Sequence, residues 1–374
     1  MTTRQLVGFD GLQHARPTTG SGMYALHLWQ QLQQRASEGI AFALLRPNNL
    51  SGATSNVAKV RWEQAGLPWA ARRVGASMVH VPYFSAPLFP LRPVVVTIHD
   101  VIPLAIPAYA RTRQMRAYLQ LVSRSVRRAR RIITDSRSSQ QDISRLLGVP
   151  GDRLRVIPLG VTPEYRPANT LEEDLAIDQT LERLQIRRPY VLNVGGFDVR
   201  KRLDLLVRGF AQAIADVETP LDLVIVGSPH SGNEQLYPSL DPLIRALGLT
   251  ERVRLPGFVS EDDKRNLYRA AEVFVFTSEY EGFGLDPLEA LACGAPVVCT
   301  NRTSLPEVVG DAAILVEPDA AAVGAALKDV VSNPDLRADL TLRGIARARS
   351  FTWERTAEQT LAVYRELLAV ETAR

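Results

Sequence analysis

The sequence predicts an α/β protein built from two doubly wound parallel sheets. Three observations carry that prediction. Short apolar runs alternate with stretches of helical periodicity along the whole chain. Most of these runs are near-continuously apolar, as strands buried on both faces are. A proline-punctuated and then acidic stretch, GVTPEYRPANTLEEDLAIDQTLERL at 160–184, separates an earlier set of runs from a later one. A chain of 374 residues also exceeds one ordinary core, and its 46% apolar content supplies material for two.

The strand candidates of the first half are QLVGF at 5, IAFALL at 40, SMVHVPY at 77, VVVTIH at 94, RIITDS at 131 and LRVIPLG at 154. Helical stretches fall near 23–36, 111–130 and 138–147. The second half is more regular, with YVLNVG at 190, LDLVIVG at 221, RVRLPGF at 252, VFVFTS at 273, PVVCT at 296 and AILVEP at 313. Between them lie RLDLLVRGFAQAIADV and SEDDKRNLYRAAE. The latter opens with Ser260 followed three residues on by Asp263, the pattern of a capping box. The tail FTWERTAEQTLAVYRELLAV is an amphipathic helix with Thr352 and Arg355 near its start.

Composition narrows the function classes. No run approaches the roughly 18 apolar residues of a membrane-spanning helix. The segment MTTRQLVGFDGLQ lacks the pattern of a secretory leader. Cys293 and Cys299 both sit in apolar surroundings, which fits reduced core thiols of a cytoplasmic protein. The net charge of +4 is modest but unevenly spread. From Arg111 to Arg131 the chain carries eight arginines and no acid, with Met115, Leu119, Val122 and Val126 forming an apolar stripe. Such a helix packs its stripe on its own domain, or it docks on anionic lipid at the inner face of a membrane. With Tyr118 as its sole aromatic and no recognisable motif, it argues against nucleic acid as a partner.

The stretch SEYEGFGLDPLEA at 278–290 follows the strand VFVFTS, and so lies where open α/β sheets place ligands. Gly282 and Gly284 permit close approach of backbone to a ligand. Asp286, Pro287 and Glu289 read as N-cap, N1 and N3 of a helix, which makes Glu289 a capping carboxylate or a ligand-binding one. Glu281 precedes the helix and has no such structural explanation; a carboxylate there accepts hydrogen bonds from sugar or ribose hydroxyls. GGFDVRKRL at 195–203 places Arg200 and Lys201 in the first turn of a helix, where cations oppose the helix dipole unless an anion is near. Together with the amides around Gly196, they make a diphosphate site, or else a solvent-facing basic pair on a surface helix. The absence of G-x-G-x-x-G disfavours a dinucleotide oxidoreductase. In the first half, Gly20 and Gly22 open a helix from a permissive loop at 17–24. His99 and Asp100 end one strand, and Ser136 and Arg137 end another.

In this order and spacing, these residues resemble glycosyltransferase family 4, the retaining nucleotide-sugar transferases of the GT-B fold. EGFGLDPLEALACGAPVVCTNRTSLPEVVGDAAILVEP carries an E-x₇-E motif at Glu281 and Glu289. The 195–201 segment, VIPLGV at 156–161, the glycines at 20 and 22 and IHD at 98–100 also fit. The resemblance implies two Rossmann-like domains facing across a cleft, with a C-terminal helix crossing back to the first. The expected boundaries are 1–168 joined by 353–374, and 169–352. Glu289 would bind the donor's ribose, and Glu281 the transferred sugar. Arg200 and Lys201 would grip the diphosphate and stabilise charge on the leaving group. Gly20 and Gly22, and then Gly196, Gly282, Phe283, Gly284 and Leu285, would line the donor site. His99 would stand at the sugar's reacting face. No metal or other cofactor is implied. The reaction expected is retention by front-face attack, in assembly of a surface polysaccharide or glycolipid.

Asp286 stands where the family often has proline, and Arg202 where asparagine is frequent. The form IHDVIPL is similar to members that transfer mannose from GDP-mannose, which makes GDP-mannose the favoured donor and a glycan or lipid-linked molecule the acceptor. Acceptor-side loops are expected at 46–75 and 103–116. The alternatives are a non-hydrolysing nucleotide-sugar epimerase and a catalytically silent nucleotide-sugar-binding module.

Overall fold

The computed structural model describes residues 5–14, 19–36, 39–47, 56–215, 220–227 and 233–372. Of the segments singled out above, 1–4, 17–18, 48–55, 216–217 and 373–374 lie outside these residues. The chain divides into two units, Met1–Gly160 with Thr352–Arg374, and Val161–Phe351.

The first unit holds a six-stranded parallel sheet of β1 (Gln5–Asp10), β2 (Ile40–Leu45), β3 (Met78–Val81), β4 (Val94–Thr97), β5 (Arg131–Thr134) and β6 (Leu154–Val156), in the order β2-β1-β3-β4-β5-β6. The inner strands β3 and β4 are buried along their whole length, which fits their largely apolar runs, interrupted by His80 and Thr97. The strand order reverses between β1 and β3, so the crevice at that switch point opens at the carboxyl ends of β1, β3 and β4. The arginine-rich helix Arg113–Val126 starts at Thr112, whose hydroxyl accepts from Met115 N at 3.1 Å. Leu119, Val122 and Val126 join the core, while Met115 remains exposed. The stripe therefore packs on its own unit over three of its four positions.

The helix Trp353–Thr372 completes this first unit. Thr352 receives Arg355 N at 3.2 Å at its start. Farther along, the Tyr364 hydroxyl lies 2.5 Å from His80 Nδ1, and His80 Nε2 is 2.8 Å from Thr97 Oγ1. Tyr24 closes this buried chain at 2.9 Å from the same hydroxyl. Burial pushes the His80 imidazole down to about 3, so it stays neutral. At the surface Glu366 binds Arg131 at 2.5 Å and Arg155 at 3.1 Å.

The second unit holds β7 (Tyr190–Val194), β8 (Asp222–Val226), β9 (Val253–Gly257), β10 (Val273–Phe276), β11 (Val297–Thr300) and β12 (Ile314–Val316). All pair in parallel, in the order β12-β11-β10-β7-β8-β9. Here the direction of winding reverses between β7 and β10, and Asn193 Nδ2 stitches those two strands through Val275 O at 2.8 Å. Ser260 caps the helix Glu261–Ala270 as its sequence foretold, accepting from Asp263 N at 3.1 Å and donating to Asp263 Oδ2 at 2.7 Å. Cys293 and Cys299 are buried free thiols, each pushed up to about 12 by burial. Among the described residues no helix is long and apolar enough to cross a membrane.

Candidate active site

The two loops singled out in the second half of the sequence leave the adjacent strands β7 and β10, at the switch point of their sheet. Main-chain and side-chain bonds fasten one loop to the other. Glu279 N donates to Arg200 O at 2.8 Å, and Thr277 Oγ1 lies 2.8 and 3.0 Å from the carbonyls of Lys201 and Arg202.

Arg200 and Lys201 differ from expectation in their setting. They occupy a short 3-10 turn, Val199–Lys201, and the long helix begins only at Leu203. Arg202 stands between turn and helix at φ 48°, which breaks the helical path. The cations therefore do not face a helix dipole. Carboxylates compensate them instead. Arg200 binds Asp198 at 3.0 Å and Glu281 at 2.5 Å, and it donates to Tyr280 O at 2.8 Å. Lys201, 7% exposed, binds Glu281 at 2.7 Å and lies 4.4 Å from the centre of the Phe276 ring. Arg202 pairs with Asp204 at 3.1 Å and with Glu279.

One oxygen of Glu281, Oε1, takes Arg200, Lys201 and, at 2.6 Å, the Ser278 hydroxyl. The other oxygen, Oε2, receives no side-chain hydrogen bond among the described residues, and the side chain keeps 12% of its surface exposed. Burial pushes this carboxyl up, but the charges of Lys201 and Arg200 and the bonds from Lys201 and Ser278 outweigh it, holding it down to about 2. Glu281 is thus an ionised group with one oxygen anchored and the other able to accept hydrogen bonds from hydroxyls. Thr303 Oγ1 receives Glu281 N at 3.0 Å, and Ser304 Oγ bonds Glu281 O at 3.0 Å and Phe283 O at 2.6 Å. These two residues, which follow β11, hold the glycine loop without having drawn notice in the sequence.

The helix after that loop begins earlier than the Asp286-Pro287 signature predicts. It spans Leu285–Cys293 with Gly284 as N-cap, and no side chain caps it. Gly284 sits at φ 113°, and an added Cβ would lie 2.8 Å from Leu305 Cδ2, so only glycine turns the chain into the helix at this point. Asp286 falls in the first turn, 3.8 Å from Lys201 Nζ, and Glu289 lies past the capping positions. The capping role for Glu289 is therefore corrected. The residue is 6% exposed, and its partner is Lys264, 3.1 Å from Oε2. Burial pushes the Glu289 carboxyl up to about 8, against the pull of Lys264 and with added repulsion from Asp286. Lys264 in turn binds Glu261 at 3.0 Å, whose carboxylate receives the Tyr165 hydroxyl at 2.6 Å. Gly282 and Phe283 are buried beside these groups, Leu285 is half-buried, and Gly196 lies in the loop after β7.

In the first unit, Gly20 opens the helix Gly20–Gln34, and Thr19 caps it by accepting from Gly22 N at 3.1 Å. Both glycines thus lie in the first helical turn rather than in the loop expected there. A Cβ on Gly20 would meet nothing within 4 Å. His99 follows β4, and its Nδ1 donates to Asp135 Oδ2, at the end of the neighbouring β5, at 2.7 Å. Burial alone would lower this imidazole, but the Asp135 charge and hydrogen bond, with Asp100 beyond, raise it. The edge of Tyr24 packs on the ring at 4.6 Å between centres, and Ser139 Oγ donates to His99 O at 3.0 Å. Asp135 went unremarked in the sequence, although the strand-end rule that singled out His99 applies to it equally. Ser136, beside it, is the cap of the helix Arg137–Leu147.

Comparison with known proteins agrees with this geometry. Residues 20–165 match the model described as Glycosyltransferase Family 4, and residues 178–347 that described as Glycosyl transferases group 1. The chain is 34% identical over 303 residues to O-antigen chain mannosyltransferase B of Escherichia coli, covering 80% of this chain and 77% of that one. Among solved structures, sucrose-phosphate synthase from Thermosynechococcus elongatus superposes with a TM-score of 0.75 at 21% identity, covering 98% of this chain and 100% of its own. An Anabaena protein in complex with UDP and glucose superposes with a TM-score of 0.71 at 18% identity, over 97% and 100% of the two chains. These likenesses at low identity establish the fold, which is GT-B. With both halves matched and 34% identity to that E. coli enzyme over 80% of its own length, the chain belongs to glycosyltransferase family 4, and it is a hexosyltransferase.

Proposed function

We propose that this enzyme transfers mannose from GDP-mannose, with retention of configuration, to a glycan or lipid-linked acceptor during assembly of a surface polysaccharide or glycolipid. The observation that carries the sugar-binding half is Oε2 of Glu281, which receives no side-chain hydrogen bond among the described residues and is held in place because Oε1 is anchored by three donors. On this reading Oε2 accepts from hydroxyls of the transferred hexose, while Glu289 accepts from the ribose. Arg200 and Lys201 hold the diphosphate and stabilise the charge that grows on the departing phosphate. His99 faces the sugar, with Asp135 fixing its ring. The choice of mannose draws on IHDVIPL at 98–104 and on the mannosyltransferase named above. The same reading places the enzyme in the cytoplasm, at the inner face of an anionic membrane through its arginine-rich helix.

Because the two cations supply the positive charge at the diphosphate, the reading needs no divalent metal, and chelation by EDTA should leave turnover unchanged. The primary test is thermal unfolding with GDP, UDP, ADP, GDP-mannose and UDP-glucose, since a ligand of the folded state raises the melting temperature. Selective stabilisation by GDP and GDP-mannose is expected. NMR of the transfer product should then show the donor's anomeric configuration. A shift with UDP-glucose alone would overturn the donor assignment, and no shift with any nucleotide would overturn the site itself.

A further inference from the structure

The eight arginines between Arg111 and Arg131 do not form one uniform face. Arg131 is committed to Glu366, and Arg127 Nε donates to Leu147 O at 2.8 Å. Arg111, Arg116, Arg124 and Arg127 line one side of a groove of about 680 Å³ between the helix Arg113–Val126 and the segment Ile102–Ala110. Arg111, Arg116 and Arg124 have no carboxylate partner among the described residues. No acid occurs anywhere from Val101 to Arg131. Pro103, Leu104, Pro107 and Ala110 give the groove an apolar side, while Leu119, 4% exposed, lies beneath it in the core.

A solvated helix face spreads its charges over a convex surface and interleaves acids among them. A concave space lined by one sign of charge concentrates field and draws in a counter-ion. The volume suits a small ligand. Guanidinium groups match phosphate oxygens in geometry, and the side formed by Pro103, Leu104, Pro107 and Ala110 suits hydrocarbon. We propose that this groove binds a phosphate or diphosphate group borne on an apolar chain, the arginines taking the anion and the apolar side the first carbons of the chain. The inference rests on the acceptor reading above only for the use made of the bound lipid. Binding itself is measured without donor, so failure of either shows separately.

The test is calorimetric titration of the full chain with monomeric farnesyl diphosphate, with inorganic pyrophosphate and with farnesol. Saturable binding of farnesyl diphosphate is expected, about tenfold or more tighter than either half-ligand, and weakening with salt. The double variant R116A/R124A should lose about tenfold or more in affinity. R113A/R128A, which alters arginines of the same segment outside the groove, should stay within about twofold. Melting curves of both variants check that each is folded. Absence of saturable binding, equal affinity for pyrophosphate, or equal loss in the two variants would overturn the proposal. So would binding confined to anionic phosphatidylglycerol vesicles, which would mean adsorption to a charged surface. Intact farnesyl diphosphate binding by a protein that transfers no sugar would leave the groove assigned and the transfer reading refuted.

Discussion

Glu281 and Lys201 meet at 2.7 Å through the same carboxylate oxygen that receives Arg200 and Ser278. A buried carboxylate is thereby kept ionised by the cations around it. Because the Glu281 carboxyl is held down to about 2, the stability it contributes is present above the ordinary carboxyl range and is lost only as pH falls through about 2. Lys201→Ala removes one of the two cations proposed at the diphosphate while leaving Glu281 its Arg200 and Ser278 partners. Turnover should fall by about 10²- to 10³-fold with the fold retained. Steady-state kinetics beside a melting curve decide the matter, and unchanged turnover would remove Lys201 from the mechanism.

Glu289 behaves in the opposite sense. Its carboxyl is pushed up to about 8, so the fold favours the neutral form. That preference stabilises the ligand-free protein fully below the ordinary carboxyl pKa and vanishes as pH rises through about 8. Glu289→Gln, neutral at every pH, should melt a few degrees higher than the parent at pH 8 to 9 and about equally at pH 5. It should also lose most of the nucleotide-induced shift if Glu289 binds ribose. Parallel melting curves across that range would show that the carboxylate is not under strain from burial.

The His99–Asp135 pair gives a second pH signature. With its pKa raised, His99 contributes stability below the ordinary imidazole value and loses it as pH rises through the elevated one. Asp135→Asn removes the opposing charge and leaves burial dominant, so the shift should reverse. The variant should then lose stability on acidification through pH 6 where the parent gains it. Histidine proton and nitrogen shifts, titrated by NMR, report the same change directly. An unaltered His99 titration would show that Asp135 does not set its charge.

Gly284→Ala tests the turn that starts the Leu285–Cys293 helix. The positive φ and the approach to Leu305 together should cost about 1–2 kcal/mol or more, seen as a lower melting temperature. Loss of donor binding beyond that expected from partial unfolding would show that the helix start places Glu289.

The parallel strands were legible in the sequence because burial on both faces leaves near-continuous apolar runs, as in YVLNV of β7. The site was legible in outline because winding order puts its residues at strand ends. Helix starts were read less well where two local signals compete. Asp286-Pro287 is a good cap, yet Gly284 at φ 113° begins the helix before it. Lys264 could not be foreseen beside Glu289, since its neighbourhood comes from packing of two helices with no shared periodicity. Thr303 and Ser304 escaped for a like reason, as they bind main-chain groups of another loop and leave no pattern.

The helix Trp353–Thr372 bears on how this protein is made. It belongs to the first unit, whose core it completes through Tyr364 and His80, yet the ribosome delivers it after the whole of Val161–Phe351. Until then the nascent first unit waits with an uncovered apolar flank and with His80 Nδ1 lacking its Tyr364 partner. The second unit, continuous in sequence, has no such delay. Synthesis order thus runs against folding order for the first unit, and a fragment ending at Gly160 should require a chaperone where one spanning 161–351 does not.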